Sequence, residues 1–288
     1  MFAGAYTALV TPFKKDGKLD LPRLRELVEF QIAEGIDGLV PVGTTGESPT
    51  LDYEEHIQVV AETVAAARGR VPVIAGTGSN STQEAIELTR RARDVGATAT
   101  LQVTPYYNKP TQAGLLAHFS AVADLGLPVM LYNVPGRTAC EISVKTVAQL
   151  ARHPMIVAIK EAGGSVERVA RIREACRIEV LSGDDALTLP MMEAGAIGVV
   201  SVASNIIPRA VRDLVRAAGE HRWDEARALH ERWTPVFKDL FIVTNPQPVK
   251  AALAMAGRIE EVLRLPLVPI SPASRERLAA TLRTLEVL

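Results

Sequence analysis

The stretch "IVAIKEAGG" (residues 156–164) decides the fold, because its first five residues form a buried-strand pattern that ends in a lysine. Apolar, β-branched runs of this kind are typical of parallel strands whose two faces are both covered. An unpaired ammonium is costly to leave in such a place. The rest of the sequence therefore has to indicate what sheet surrounds this strand and what role Lys160 has.

Runs of the same kind recur along the chain and alternate with amphipathic helical patterns. One such helix is predicted over residues 81–96, where Ser81 and Glu84 have the spacing of a capping box and Gly96 ends the pattern. Eight strands, each followed by a helix, favour an α/β fold of the (β/α)8 TIM barrel type over an open, doubly wound sheet. The predicted strands are residues 5–10, 38–42, 71–76, 98–103, 128–133, 156–160, 178–182 and 196–202.

From about residue 206 the pattern is helical to the end of the chain. These residues lie beyond the eighth strand, so they predict a C-terminal helical extension that packs on the barrel or takes part in assembly. We place the domain boundary between a catalytic barrel, residues 1–222, and a helical domain, residues 223–288.

Composition excludes several classes of protein. The 288 residues carry a net charge of −1, without the basic excess of a nucleic-acid-binding protein, and no apolar run is as long as a membrane span. Cys140, Cys176 and the five histidines have no metal-binding spacing. The first residues lack the pattern of a signal peptide. We expect a cytoplasmic protein with no metal and with neither nucleic acid nor membrane as a partner.

Chemically capable side chains follow the predicted strands, at the end of a barrel where active sites lie. They come from several separate loops, which favours one shared polar site over a set of unrelated surface residues. In chain order they are Thr44 and Thr45, Tyr106 and Tyr107, Tyr132 and Arg137, Lys160, Gly183 in "SGDD", and Val200.

Each of these motifs also has a purely structural interpretation. The segment "GTTGES" (43–48) matches no nucleotide-binding loop and could be a tight turn, although its amides and hydroxyls suit a carboxylate. The tyrosines of "PYYN" could pack at an interface, and Arg137 could be a solvated charge. The aspartates of "SGDD" (182–185) resemble a helix cap more than a pair of metal ligands.

Lys160 has three candidate roles: pairing with Glu161, binding an anion, or acting as a nucleophilic amine. Adjacent strand residues point to opposite faces, so Glu161 is a poor partner. Burial disfavours the charged ammonium, and imine formation needs the neutral amine, which favours the nucleophile. A threonine between two tyrosines could relay protons without adding charge. Such a set suits a small 2-oxo acid that reacts with a second, carboxylate-bearing substrate.

The motifs "GTTGES", "TPYYNKP", "YNVPGRTAC", "IVAIKEA" and "LSGDD", in this order, resemble the dihydrodipicolinate synthase family of pyruvate-dependent aldolases. The similarity extends from "GAYTALVTPF" to "NPQPVKAALAMAGRIEEVLRLPLVPI". It implies a lyase of diaminopimelate and lysine biosynthesis that joins pyruvate to L-aspartate 4-semialdehyde through an imine. It also implies that no cofactor is needed, and that the assembly is a homotetramer of two tight dimers.

The resemblance assigns a role to each candidate residue. Lys160 would form the imine, and Tyr132, Thr44 and Tyr107 would relay protons, with Tyr107 donated by a neighbouring subunit. Arg137 would bind the carboxylate of the semialdehyde. The pyruvate-binding residues would be Thr45, Gly183 and Val200.

Some members of the family are inhibited by L-lysine between the subunits of the tight dimer. The candidate lysine-binding residues are Ser48, His56, Asn80, Glu84 and Tyr106. The last four agree with the inhibited type, with Glu84 as the partner of the ligand's amine. Pro49 replaces a small residue and Tyr53 replaces a histidine that is often present. We therefore expect moderate sensitivity to lysine.

Three alternatives stay open at this point. A sibling aldolase, acting on N-acetylneuraminate or a 2-keto-3-deoxy sugar acid, would share the imine, but Arg137 suits a carboxylate better than a sugar chain. A non-catalytic barrel could bind a small acid without reaction. A phosphate-binding barrel enzyme is disfavoured, because the loops after strands seven and eight lack a glycine-rich cradle.

Overall fold

In a computed structural model that describes residues 2–288, eight parallel strands form one sheet with the order β2-β1-β8-β7-β6-β5-β4-β3. A parallel bridge between Leu39 and Val73 closes it, so the predicted barrel is confirmed and the open sheet is excluded. The strands are β1 (Gly4–Ala8), β2 (Gly38–Val40), β3 (Ile74–Gly76), β4 (Ala99–Val103), β5 (Val129–Asn133), β6 (Ile156–Glu161), β7 (Glu179–Ser182) and β8 (Gly198–Ser201).

A helix follows each strand, and further helices follow the eighth unit as the sequence predicts. No helix within residues 2–288 is long and apolar enough to cross a membrane. The helices are α1 (Leu21–Ala33), α2 (Tyr53–Ala67), α3 (Thr82–Asp94), α4 (Gln112–Ala123), α5 (Pro135–Thr138), α6 (Val144–Leu150), α7 (Val166–Ala175), α8 (Thr188–Glu193), α9 (Pro208–Gly219), α10 (Trp223–Asp239), α11 (Gln247–Met255) and α12 (Pro272–Thr284).

The observed strands lie within the predicted runs, except that Gly4 and Glu161 each extend a strand by one residue. The second strand ends earlier than predicted, at Val40. Pro41 has no N–H to donate, and Val42 adopts a left-handed φ of 51°, so the backbone leaves the sheet there. The residues beyond the strand form the rim on which the candidate site is built.

The capping box predicted at the start of α3 forms only in part. The Ser81 hydroxyl accepts from the Glu84 amide at 3.4 Å, but the Glu84 carboxylate accepts from the Ser79 hydroxyl at 2.5 Å. The Ser81 amide donates to Ser79 Oγ instead. Glu84 is thereby turned away from its own helix start and toward the loop that follows β3.

The core has two parts, one between the sheet and its helices and one inside the barrel. Along β6, Ile159 packs with the outer part and Ala158 with the inner part, which also contains Tyr132 and Leu181. Lys160 lies beside Tyr132 and Leu181 in the register of the sheet. The period of two along a strand therefore directs Lys160 into the barrel.

Candidate active site

The last residues of β6 point in opposite directions. Lys160 is 6% exposed and forms no ion pair with a carboxylate anywhere in residues 2–288. Glu161 faces outward, where its carboxylate accepts from Asn133 Nδ2 and Arg168 Nε, both at 2.9 Å, and from the Gly163 amide at 2.8 Å. The prediction that Glu161 is not the partner of Lys160 is confirmed. Lys160 therefore does not serve as the cation of a structural ion pair.

Lys160 opens into a cavity of about 130 Å³ at the carboxyl ends of the strands. This position is the one that the sequence predicts for the site. The cavity is small beside the roughly 300–1,000 Å³ of common ligand pockets. Most of the predicted catalytic and substrate-binding residues meet here. The lining consists of Thr44, Thr45, Tyr132, Val134, Arg137, Lys160, Ala162, Gly183, Asp184, Val202, Phe241 and Asn245.

Tyr132 and Gly183 fix the position of the Lys160 side chain from two sides. Tyr132 is paired with Lys160 across β5 and β6, and Lys160 Nζ lies 4.4 Å from the centroid of its ring. On the other side, a Cβ added to Gly183 would lie 2.9 Å from Lys160 Cε and 2.7 Å from Ala162 Cβ. Only glycine leaves room for the lysine chain at this point.

Thr44 and Thr45 lie on a tight turn after β2. Its backbone is closed by hydrogen bonds from Gly46 N to Gly43 O and from Glu47 N to Thr44 O, each at 3.1 Å. The Thr45 hydroxyl accepts from Asn245 Nδ2 at 3.0 Å. The turn therefore presents hydroxyl groups to the cavity, which suits the binding of a carboxylate.

Arg137 lies at the mouth of the cavity on the short helix α5. Its guanidinium is exposed and donates from Nη2 to the Asn245 carbonyl at 3.3 Å. No carboxylate within residues 2–288 forms an ion pair with it. The cation is thus free to bind an anionic group of a ligand. Its place at the mouth of the cavity distinguishes it from a solvated arginine elsewhere on the surface.

Two of the predicted site residues do not line the cavity. Tyr107 is 90% exposed, has a left-handed φ of 73° and does not line the cavity. Val200 is buried inside the barrel, in the same apolar cluster as Tyr132 and Leu181. Tyr107 is therefore separated from Lys160 and Tyr132 within one chain, whereas Val200 packs in the cluster of Tyr132 without lining the cavity.

Four of the predicted lysine-binding residues are neighbours around the loop after β3. His56 Nε2 lies 2.7 Å from Gly76 O, and burial lowers the pKa of this histidine. Burial, and then the charge of Glu84, raises the pKa of Tyr106. Asn80 accepts at its carbonyl from Asn108 Nδ2 at 2.8 Å. Ser48 lies apart, on the loop after β2, and forms no hydrogen bond with the other four in the described part of the chain.

The prediction that "SGDD" caps a helix is confirmed. Asp184 Oδ1 accepts from the amides of Ala186 and Leu187, and Asp185 Oδ2 accepts from the amides of Val202 and Ala203. Both carboxylates thus hold backbone in place. Within residues 2–288 no group of three or more His, Cys, Asp or Glu side chains has an arrangement that could hold a metal ion.

Sequence reasoning missed Asn245 and Phe241, which come from the helical extension. Asn245 is 5% exposed, touches Thr45 and Arg137 at once, and leaves its Oδ1 atom buried without a partner. The signal was present in "NPQPVK" (245–250), a polar motif between helices that supported the resemblance but received no role. Its contact with Thr45 spans 200 residues, which local patterns cannot indicate.

Comparisons with known proteins find one family over nearly the whole chain. A model of the dihydrodipicolinate synthetase family matches residues 1–285. A 4-hydroxy-tetrahydrodipicolinate synthase from Pelobacter propionicus is 53% identical over 287 residues, which cover 99% of each chain.

Two solved structures with bound ligands are also similar to this chain. One is a chloride-inhibited dihydrodipicolinate synthase from Acinetobacter baumannii complexed with pyruvate, with a TM-score of 0.98, 45% identity and full coverage of both chains. The other is a dihydrodipicolinate synthase from Cyanidioschyzon merolae with lysine bound, with a TM-score of 0.97 and 42% identity, covering 100% of this chain and 99% of that one.

Proposed function

The chain belongs to the dihydrodipicolinate synthetase family, and we propose that it condenses pyruvate with L-aspartate 4-semialdehyde to 4-hydroxy-tetrahydrodipicolinate in diaminopimelate and lysine biosynthesis. The observation that carries the proposal is the buried amine of Lys160, which opens into a small cavity without a carboxylate partner. Pyruvate would enter beside Tyr132, with its carboxylate on the Thr44–Thr45 turn.

The first half of the reaction joins the enzyme to pyruvate. The Lys160 amine attacks the 2-oxo carbon, and loss of water gives an imine. Loss of a proton from the pyruvate methyl group then gives an enamine. Lys160 Nζ lies over the Tyr132 ring, and we assign to the Tyr132 hydroxyl the transfer of protons around this carbon. Thr45 holds the carboxylate, and Gly183 and Val200 keep the lysine side and the floor of the site closed.

The second half joins the semialdehyde and releases the product. The enamine carbon attacks the aldehyde, whose oxygen takes a proton from the Tyr132, Thr44 and Tyr107 relay. The amino group of the semialdehyde then replaces Lys160 at the imine carbon, which closes the ring and frees the lysine. Arg137 binds the semialdehyde's carboxylate at the mouth. The atoms and electrons balance without a metal or an organic cofactor.

The size and charge of the site favour this reaction over that of a sibling aldolase. A cavity of about 130 Å³ with a cation at its mouth suits a short substrate with a terminal carboxylate. Turnover with L-aspartate 4-semialdehyde, compared with cleavage of N-acetylneuraminate and of 2-keto-3-deoxy sugar acids, tests the choice. Measurable rates with the sugar acids alone would contradict the proposal, and no turnover with either set would favour the non-catalytic barrel.

The assembly completes the site in the same proposal. Tyr107 is exposed here, so we assign it to the cavity of a second subunit within a tight dimer, with two dimers forming a homotetramer. Mixing Tyr107→Phe chains with Lys160→Ala chains tests this assignment. A mixed dimer has one site with both an intact lysine and a donated tyrosine, so partial activity returns. If mixing restores nothing although mixed dimers form, Tyr107 does not act across subunits.

L-lysine is the proposed feedback inhibitor. The Glu84 carboxylate, beside Ser79 and close enough to act on Tyr106, is placed to pair with the ligand's amine. Inhibition at millimolar lysine should weaken at least about tenfold in Glu84→Gln, because a charge-assisted bond is lost. Asp94→Asn, at the far end of the same helix, is the matched control. Full activity of the wild-type enzyme at millimolar lysine would contradict the proposal.

The domain boundary and the cellular location also belong to the proposal. We keep residues 1–222 as the catalytic barrel and 223–288 as the helical domain. Met1, the first residue of that range, lies outside the described residues. A cytoplasmic location, where amino-acid precursors are made, is checked by fractionation of cells that express the chain.

A further inference from the structure

A fully buried ion pair joins the helical extension to the barrel at a point that the proposed chemistry does not use. Lys250 of α11 and Glu47 of the loop after β2 both have 0% exposed side chains, and Lys250 Nζ donates to Glu47 Oε1 at 2.5 Å. The second carboxylate oxygen of Glu47 accepts from the Arg264 amide at 3.0 Å. Lys250 Nζ also lies 4.3 Å from the centroid of the Phe13 ring. The carboxylate is thereby fixed by two separate segments of the extension.

Glu47 is the residue that closes the turn carrying Thr44 and Thr45. Its amide donates to Thr44 O, and its φ of 55° is a left-handed conformation that costs a non-glycine residue free energy. Such a backbone persists where the surroundings hold it. Here the surroundings include the bond from the Glu47 side chain to Lys250.

The same segment of the extension contacts the turn a second time. Asn245, five positions before Lys250 in the sequence, donates to Thr45 Oγ1 at 3.0 Å and accepts from Arg137 at its carbonyl. One short piece of chain thus touches the turn at two points and the arginine at a third. The position of both carboxylate-binding groups relative to Lys160 is set from outside the barrel.

We propose that Glu47 and Lys250 are positioning residues, which hold the Thr44–Thr45 turn at the separation from Lys160 that binding of the pyruvate carboxylate requires. The inference rests on the proposed function, because pyruvate is the ligand of this turn. The helical extension would then help to position the residues that bind pyruvate, although neither Glu47 nor Lys250 lines the cavity.

Two variants separate positioning from folding. Lys250→Met leaves the Glu47 carboxylate buried without its cation, so the turn must move to hydrate it. Glu47→Gln keeps the shape of the side chain and one acceptor oxygen, which can serve either Lys250 or the Arg264 amide, and therefore perturbs the turn less while the fold is retained. The control Asp239→Asn breaks an ion pair with Arg277, at 2.6 Å, that lies between α10 and α12, away from the turn.

The test measures KM for pyruvate, KM for the semialdehyde, kcat, and borohydride trapping at Lys160 over a range of pyruvate concentrations. We expect KM for pyruvate to rise about tenfold in Lys250→Met and about threefold in Glu47→Gln, since small displacements of a binding group cost large factors. KM for the semialdehyde should change less, and trapping should still reach completion at high pyruvate. Asp239→Asn should keep the wild-type KM.

The inference is wrong if the Glu47→Gln variant is folded, as judged by circular dichroism, and keeps the wild-type KM for pyruvate. It is also wrong if KM rises equally in the control variant. If the proposed function itself were wrong, borohydride trapping of the wild-type chain would give no pyruvate adduct at Lys160.

Discussion

Two buried lysines serve different purposes in this molecule. Lys160, inside the barrel, has an aromatic ring beside its amine but no carboxylate. Lys250, between the barrel and the helical extension, also lies over a ring, but Glu47 is bonded to it at 2.5 Å. Burial lowers the pKa of Lys250 to about 8, although Glu47 acts in the opposite direction. Burial alone therefore does not distinguish a nucleophile from a structural cation.

The surroundings of each lysine make the distinction. The Lys160 amine faces an open cavity in which a carbonyl carbon can reach it, whereas the Lys250 amine faces protein on all sides. The ion pair with Glu47 holds the Lys250 amine in place, whereas the Lys160 amine, without such a partner, can be reached by a carbonyl in the cavity. The contrast predicts opposite results for the same substitution at the two positions.

Replacing the first lysine should have the largest effect on activity and little effect on stability. Lys160→Met removes the nucleophile, so kcat should fall about 1,000-fold or more. No carboxylate loses its partner, so the unfolding midpoint should stay at or above that of the wild type. Steady-state kinetics and urea titration measure the two quantities. Lys145→Met, an exposed lysine on α6, is the control, and retained activity in Lys160→Met would contradict the assignment.

The same change at the second lysine should reverse the pattern. Lys250→Met leaves a buried carboxylate unpaired, which lowers the free energy of unfolding by about 3–5 kcal/mol. Urea titration checks this value. A stability equal to that of Lys160→Met would mean that the two environments do not differ as the contacts indicate.

Crowding of Lys160 should give an intermediate effect. In Gly183→Ala the new Cβ lies 2.9 Å from Lys160 Cε, so the amine must shift, and kcat/KM for pyruvate should fall about 30-fold. Gly136→Ala is a matched control, because an added Cβ there has nothing within 4 Å. Equal kinetics for the two variants would show that the position of the lysine chain is not constrained by Gly183.

A third buried base, His118, extends the comparison to a group that stays neutral. Burial lowers its pKa to about 4, and its Nε2 atom has no partner. Below the unfolded value of about 6.5 the unfolded chain binds a proton that the folded chain does not, so stability is complete above pH 6.5 and falls as the pH drops toward 4.

The loss that His118 causes should be about 2 kcal/mol between pH 7 and pH 5. Urea titrations at the two pH values measure it. His118→Asn, which keeps an acceptor for the Thr82 hydroxyl, should remove this part of the pH dependence. An unchanged pH dependence in the variant would contradict the prediction.

Much of the fold could be predicted because strands and helices are local. Period-two runs and β-branched residues marked the eight strands to within three residues at each end, and the end of each strand pointed to the rim where Lys160, Tyr132 and Thr44 meet. A local rule failed at Glu84, where Ser79 competes for the carboxylate and the capping box is incomplete.

The rest could not be predicted because it depends on contacts between distant parts of the chain. Asn245 reaches Thr45 across 200 residues, and Lys250 reaches Glu47 across 203. In a single sequence nothing distinguishes Lys250 from other lysines on amphipathic helices. The surroundings of Tyr107 also depend on distant contacts, because its side chain is exposed in a single chain and its proposed role needs a second chain.

Borohydride reduction in the presence of pyruvate, followed by intact-mass and peptide analysis, shows directly whether Lys160 forms the imine. We expect one reduced pyruvate adduct per chain, on the peptide that contains Lys160, none on the peptide that contains Lys250, and none in Lys160→Met. A folded protein that gives no adduct, or that carries the adduct on another lysine, would contradict it.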